Sequence, residues 1–184
     1  SVGSLDFSKT YSAATTPYIQ SQGVGPAGSQ GVRYNLFRLK SRSHGAYVNR
    51  KYKVAILNIK TAANVAGSDY GTFSLQLRQT GLDDNNLTRN NVLEQWDNLN
   101  FNPESPNFFA RRIGDRYVSI DSNGKLTYNG DWPNMSKYIY VDPDGYDDIK
   151  DNAIPKDMVP MGHGTIHNVF GSDSTRHPTW QFKT

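Results

Sequence analysis

Two histidines toward the carboxyl end have a spacing that could hold a metal ion. His163 and His167 are four residues apart, and on a helix this spacing would place both imidazoles on one face as zinc ligands. Gly162 and Gly164 disfavour a helix there, and no Asp or Glu lies between or next to the two histidines. The pattern therefore favours a protein without a bound metal.

A second group of candidate ligands surrounds Gly145. Its four carboxylates superficially resemble the oxygen ligands of a calcium site. They are Asp142, Asp144, Asp147 and Asp148. A calcium loop of the helix-loop-helix type needs a Glu at its twelfth position, which here is Ala153. We therefore interpret the segment as a solvated turn that closes a strand.

The sequence contains no recognisable catalytic motif. It has no cysteine, which excludes a thiolate nucleophile, a disulfide framework and a Cys-ligated zinc site. No serine stands in a Gly-x-Ser-x-Gly elbow, and no strand leads into a phosphate-binding loop with the required Gly and Lys pattern. We predict a protein that is not an enzyme and needs no cofactor.

The three tryptophans allow a binding interpretation. Trp and Tyr beside Asn and Asp on a β scaffold can form a carbohydrate platform through stacking and hydrogen bonds. Its aromatic residues would be Trp96, Trp132 and Trp180. The favoured reading is packing in a core or an interface, because Trp96 lies on the apolar stripe of a predicted helix. A carbohydrate-binding β module, in one version assisted by calcium, is the alternative function.

Composition limits the class of protein further. The 184 residues fit one domain, or one domain and a piece, and a hydrophobic content of 36% indicates many turns. The net charge of +3 is spread among interleaved acidic residues and gives no reason to expect a nucleic-acid partner. No apolar run approaches the roughly 18 residues of a membrane helix, so we expect a soluble protein.

Short strands dominate the predicted secondary structure. Residues 34–40 and 52–60 carry the strand signal, and we expect them to pair through a hairpin connection at 41–50. Residues 72–79 alternate apolar and polar side chains, which predicts a half-buried antiparallel strand.

A hairpin and a final strand are predicted further along. Residues 116–121 and 125–129 flank Asn123-Gly124, and an Asn-Gly pair between two strand-like runs is a strong hairpin signal. Residues 137–142 form the last predicted strand.

A short helix is predicted between these strands. Its apolar residues recur at helical spacing at Val92, Leu93, Trp96 and Leu99. Pro103 and Pro106 end it, and residues 107–113 are predicted to form a further helical turn or two.

These elements predict an α+β fold that is mostly β, an antiparallel sheet or sandwich with one or two short helices. We divide the chain into an irregular amino-terminal arm at 1–31, a β-rich domain at 32–142 and a loop-rich segment at 143–184. The last segment belongs to the same domain or to a larger one.

The middle of the chain carries a series of short, turn-like motifs. They read V-L-E at 92–94, N-L at 98–99, N-P-E-S-P-N at 102–107, I-G-D at 113–115 and G-D-W-P-N-M-S at 130–136. The residues that define them are Val92, Leu93, Glu94, Asn98, Leu99, Pro103, Ser105, Pro106, Asn107, Gly114, Asp115, Gly130, Asp131, Pro133 and Asn134. In order and spacing the series resembles the tail sheath protein of contractile-tailed bacteriophages. The resemblance runs from about residue 35 to 142, and Asn102 departs from the Asp usual in that family.

The resemblance implies a structural subunit of the virion, without an active site. Such a subunit polymerises as a helical tube around the tail tube and contracts during infection to eject the genome. Its partners would be other copies of itself and the tail tube protein, with neither nucleic acid nor membrane. Its place would be the phage tail, assembled in the cytoplasm of the host bacterium. Arg111 and Arg112 are candidates for contacts between subunits.

Overall fold

The fold is built mostly from strands. The computed structural model describes residues 13–23, 31–44, 51–80, 92–162 and 179–183, which form eleven strands, a 3₁₀ turn and two short helices. The strands are β1 (Ala13–Thr15), β2 (Ile19–Gln20), β3 (Asn35–Phe37), β4 (Leu39–His44), β5 (Tyr52–Lys60), β6 (Thr72–Gln79), β7 (Val92–Leu99), β8 (Tyr117–Ile120), β9 (Leu126–Asn129), β10 (Ile139–Val141) and β11 (Thr179–Gln181). The helices are α1 (Phe109–Ile113) and α2 (Asp147–Lys150), and the 3₁₀ turn is Ala62–Asn64.

The strands form antiparallel sheets, as predicted. One sheet has the order β11-β5-β6-β7 and another the order β1-β4-β10, while β2-β3 and β8-β9 are two-stranded. In the four-stranded sheet Leu75 lies opposite Ile56 on one side and Trp96 on the other. Strands β1 and β11 each lie at a sheet edge, so described parts of 1–31 and 143–184 share sheets with the middle of the chain.

A cluster of buried phenylalanines connects strand β3, helix α1 and the four-stranded sheet. Phe37 of β3 lies 4.7 Å from Phe109 of α1 between ring centroids, and Phe101 lies 5.0 Å from Phe73 of β6 and 5.3 Å from Phe109. Burial of one such side chain contributes about 1.5 to 3 kcal/mol. The cluster therefore holds α1 and the loop after β7 against the four-stranded sheet.

The predicted helix at 92–99 is wrong, because this segment is strand β7. Leu75 pairs with Trp96 and Phe73 with Leu99, so the single residue Ser74 of β6 lies opposite two residues of β7, Asp97 and Asn98. This register shift is a β-bulge, and Asn98 in it has a φ of 55°. The extra residue places Trp96 and Leu99 on the same side at a spacing of three, which imitates a helix in the sequence.

The predicted pairing of 34–40 with 52–60 is also wrong. Strand β4 belongs to the three-stranded sheet and pairs with β1 and β10, whereas β5 belongs to the four-stranded sheet. The strand signal was right in both places, but partner choice depends on packing between distant segments.

Strand β6 is antiparallel as predicted but is buried on both faces. Its polar residues Ser74, Gln76 and Arg78 are at most 6% exposed. Side-chain hydrogen bonds accommodate part of this row, since Gln76 donates to Gln95 at 3.0 Å and Ser74 to Asp97 at 2.7 Å.

Three further predictions are confirmed. Strands β8 and β9 pair around the Asn123-Gly124 turn, where Gly124 has a φ of 79°. The helical turn predicted within 107–113 is α1, and the strand predicted within 137–142 is β10. Among the described residues no helix is long and apolar enough to cross a membrane.

Candidate functional site

The sheath-like motifs lie in direct contact with one another and form the candidate site. We call the residues that make these contacts the motif framework: 92–94, 98–107, 111–115 and 130–136. Strand β7, helix α1 and the turn before β10 supply these residues. Motifs up to about forty residues apart in the sequence are thus neighbours in the fold.

The buried carboxylate of Asp115 is the centre of the motif framework. It is fully buried, and its Oδ1 accepts a hydrogen bond of 2.7 Å from the backbone N–H of Trp132. Its Oδ2 accepts a hydrogen bond from the hydroxyl of Tyr146, which is itself 1% exposed. Both oxygens of the carboxylate are therefore used in holding the chain together.

The hydroxyl of Tyr146 is held in its protonated form. Burial, and next the hydrogen bond to Asp115, raise the pKa of Tyr146 far above its ordinary value. The two groups form a buried donor and acceptor pair that joins the end of α1 to the start of α2. This geometry serves structural support, since each partner satisfies the other.

Gly114 lets two motifs approach closely. Its φ is 98°, and a Cβ built there would lie 2.6 Å from the Cα of Asn134 and closer still to the carbonyl oxygen of Pro133. Only glycine fits both requirements. Gly130 plays the same part on the other side, with a φ of 94°, and a Cβ built there would meet the carbonyl group of Asp115.

Glu94 fastens strand β7 to the turn before β10. Its carboxylate accepts a hydrogen bond of 2.5 Å from the hydroxyl of Ser136 and one of 2.9 Å from the backbone N–H of Lys137. The Ser136 oxygen in turn accepts from the backbone N–H groups of Tyr138 and Ile139, both at 3.1 Å. A charged acceptor thus fixes the entry into β10.

The loop between β7 and α1 is closed by its own polar side chains. Asn100 donates to the hydroxyl oxygen of Ser105 at 3.0 Å, and Ser105 accepts from the backbone N–H of Asn107 at 3.1 Å. The side-chain oxygen of Asn102 accepts from the backbone N–H of Glu104. Pro103 and Pro106 lie within this loop, so the two prolines and the short polar residues together define its path.

The two candidate intersubunit arginines make contacts within the chain. Arg112 donates to Asn107 Oδ1 at 3.1 Å and to the carbonyl oxygen of Asp97 at 3.3 Å. Arg111 is exposed, with its guanidinium 5.4 Å from the ring centre of Trp132. Arg111 is the one of the two whose group lies open to another molecule, and its role between subunits stays a prediction.

Other motif residues have simpler environments. Leu99 is buried, whereas Leu93 is 38% exposed on the edge strand β7. Asp131 and Pro133 are exposed. The turn that contains them is tied to α1 by the backbone, because the N–H of Met135 donates to the carbonyl oxygen of Ile113 at 3.0 Å.

The acidic loop at 142–148 does not gather its carboxylates around one point. Asp142 is buried and accepts from Arg38 Nε at 2.5 Å, with Lys40 Nζ at 3.7 Å. Burial lowers the pKa of Arg38, but the hydrogen bond to Asp142 and its charge outweigh burial and raise it. Asp147 is exposed and lies 3.7 Å from Lys150 Nζ within α2. Two of the four carboxylates, those of Asp142 and Asp147, thus lie beside cations of the chain itself.

The three tryptophans do not form a common surface. Trp96 and Trp180 are each 8% exposed and belong to the core, as the packing interpretation predicted. Trp132 is partly buried between Phe108 and the guanidinium of Arg111.

No group of three or more His, Asp or Glu side chains that could hold a metal ion occurs within the described ranges. His163 and His167 lie outside these ranges. That these two histidines bind no metal stays a prediction.

Sequence reasoning missed Tyr146 altogether, and it missed the hydrogen bond that Ser136 makes to Glu94. Tyr146 lies 31 residues from its partner Asp115 and has no local signal. Ser136 stands inside a recognised motif, but its bond to Glu94 spans 42 residues. Comparison with protein-family models, with curated proteins and with solved structures finds no match for this chain.

Proposed function

We propose that this chain is a structural subunit, or part of one, of the contractile tail sheath of a bacteriophage. It polymerises with other copies of itself around the tail tube, and the polymer shortens during infection. Its place is the phage tail, after assembly in the host cytoplasm.

One observation carries the proposal. The motifs that resemble the sheath family are bonded to each other through Glu94 and Ser136, Asp115 and Trp132, and the close approach of Gly114 to Pro133. Scattered chance similarities would have no reason to meet in the fold. A connected framework is what a shared fold would preserve, and this supports the family assignment and the structural role that follows from it.

In a sheath subunit, exposed residues of the motif framework would be available for contacts with neighbouring subunits. Arg111 presents a cation at the surface of the framework, and Leu93 lies on the edge strand β7. We propose that Arg111 contacts the neighbouring subunit, while the buried members of the framework keep each subunit rigid enough to transmit force.

A pelleting assay tests the proposal. The purified protein, together with any longer product that its gene encodes, is concentrated at moderate ionic strength and centrifuged at high speed. We expect polymer above a sharp critical concentration. Arg111→Glu raises that concentration, whereas Lys60→Glu, an equal charge change at another exposed position, leaves it unchanged.

Failure to pellet at any salt or protein concentration would contradict the proposal. The carbohydrate-binding alternative is then tested by thermal melting with a panel of glycans and with calcium, because a ligand that binds only the folded state raises the melting temperature.

A further inference from the structure

Two Asn-Gly pairs lie in the β8-β9 hairpin and have different surroundings. Asn123-Gly124 forms the turn and Asn129-Gly130 ends strand β9, and the whole sequence contains no other Asn-Gly pair. The side-chain amide of an asparagine is open to attack by the backbone nitrogen of the next residue. Glycine has no Cβ and obstructs this attack least. The hairpin thus carries two sites of nearly the same intrinsic reactivity.

The reaction modifies the chain with water as its only other reagent. The backbone nitrogen of the glycine loses its proton and bonds to Cγ of the asparagine, while the bond from Cγ to Nδ2 breaks and that nitrogen leaves as ammonia. Water then opens the resulting succinimide ring at one of its two carbonyl groups. The products are aspartate, or isoaspartate, in which the main chain runs through the side-chain carbons. Either product adds one negative charge, and this chemistry is one reason why asparagine is thermolabile.

The pair in the turn is open to solvent. Residues 121–128 are all exposed, and a Cβ built at Gly124 would meet no atom within 4 Å. Within the described residues no hydrogen bond uses the side-chain amide of Asn123. This amide is therefore able to rotate toward the backbone nitrogen of Gly124.

One hydrogen bond must open before Asn123 reacts. The backbone N–H of Gly124, which is the attacking group, donates to the carbonyl oxygen of Asp121 at 3.0 Å. This bond lies at the tip of a two-stranded sheet, and a hairpin of two strands is only marginally stable by itself. Fraying from the turn therefore releases the nitrogen without disturbing the core.

The second pair is held on both sides. The side-chain amide of Asn129 donates to the hydroxyl oxygen of Ser119 at 2.9 Å. A Cβ built at Gly130 would meet the carbonyl group of Asp115, so this glycine lies directly against the motif framework. The backbone that follows is also fixed, because the N–H of Trp132 donates to the Asp115 carboxylate at 2.7 Å. Attack on Asn129 requires the base of the hairpin to open.

We propose that Asn123 is a site of spontaneous deamidation and that Asn129, in the same dipeptide, is protected by the fold. Loss of the hydrogen bond to Ser119 together with opening of the hairpin base corresponds to a rate about tenfold lower at Asn129 than at Asn123. The inference does not rest on the proposed function, since it concerns the chemistry of the hairpin alone.

Deamidation changes the turn in which it occurs. Asp121 Oδ1 accepts hydrogen bonds from the backbone N–H groups of Asn123 at 2.9 Å and of Lys125 at 2.8 Å. A new carboxylate at position 123 lies close to this one, and like charges repel. Isoaspartate also adds one carbon to the main chain between the two N–H groups. We therefore expect the modified turn to lose this shared acceptor and to fray more easily.

Peptide mapping by mass spectrometry tests the proposal. The folded protein is incubated at mildly alkaline pH, which favours loss of the backbone proton, and samples are digested with trypsin at intervals. Trypsin cuts after Lys125 and so places the two sites on different peptides. A sample digested at the start corrects for conversion during digestion. We expect conversion at Asn123 about tenfold faster than at Asn129, and comparable rates when urea unfolds the chain.

Removing the acceptor of Asn129 tests the cause of the protection. Ser119→Ala deletes the hydroxyl and leaves the turn unchanged, so conversion at Asn129 should rise severalfold while conversion at Asn123 stays the same. Thr127→Ala is the matched control, because Thr127 pairs with Ser119 in the register and is exposed. It should leave both rates unchanged. Circular dichroism checks that both variants are folded.

Several results would overturn the proposal. Asn129 converting as fast as Asn123 in the folded protein would show that the fold gives no protection. A difference of the same size that persists in urea would assign it to the neighbouring sequence instead. An unmodified Asn123 in the folded protein, after the unfolded chain has converted, would show that the turn is closed to the reaction. Equal rates at Asn129 in Ser119→Ala and the wild type would remove the role given to Ser119.

Discussion

Removing the hydroxyl of Tyr146 tests the centre of the motif framework. Tyr146→Phe keeps the ring, which packs 5.3 Å from Phe109 between centroids, and deletes only the donor to the buried carboxylate of Asp115. A hydrogen bond to a charged group contributes about 1.5 to 3 kcal/mol, and the carboxylate is left with one backbone donor in the described fold. We expect the free energy of unfolding to fall by that amount.

The assay is urea denaturation followed by circular dichroism, supported by thermal melting. For a chain of this size the loss corresponds to a fall of about 3 to 12 °C in melting temperature. Tyr128→Phe is the matched control, since Tyr128 is 69% exposed and its change is expected within about 0.5 kcal/mol. Equal stability of Tyr146→Phe and the wild type would refute the central place given to this hydrogen bond.

Three further changes follow from the same contacts. Gly114→Ala is expected to lower the free energy of unfolding, measured by urea denaturation, by about 2 to 4 kcal/mol, because the added Cβ meets backbone atoms. Gly124→Ala is the control: its φ is 79° but its Cβ would meet no other atom, so we expect a loss of about 1 kcal/mol. Asp142→Asn weakens the acceptor of Arg38 and costs about 1 to 3 kcal/mol in the same assay. The pKa of Tyr146 lies above its unfolded value of about 10, so its stabilisation is complete below that pH and falls by about 1.4 kcal/mol per unit above it. The margin of the wild type over Tyr146→Phe should therefore shrink between about pH 10 and about pH 11.

Local patterns were enough to predict some elements. Strand β6 followed from strict alternation, and the β8-β9 hairpin from Asn123-Gly124, because in both cases the signal lies within a few neighbouring residues. Strand β7 was missed because the bulge at Asn98 breaks the alternation and sets Trp96 and Leu99 three residues apart.

Long-range features could not be read from the sequence. The assignment of β4 and β5 to different sheets depends on β1, β10 and β11, which come from distant parts of the chain. For the site, the motifs located Gly114 and Asp115 but gave no sign of the partner Tyr146. A lone tyrosine in a loop-rich stretch carries no local mark of a buried hydrogen bond made 31 residues away.

Electron microscopy of the pelleted protein in negative stain tests the proposed sheath role most directly. The proposal predicts tubes or rings of one uniform diameter, present with the wild type and scarce with Arg111→Glu at the same concentration. Isolated particles only, across salt and protein concentration and in the longest product of the gene, would contradict it.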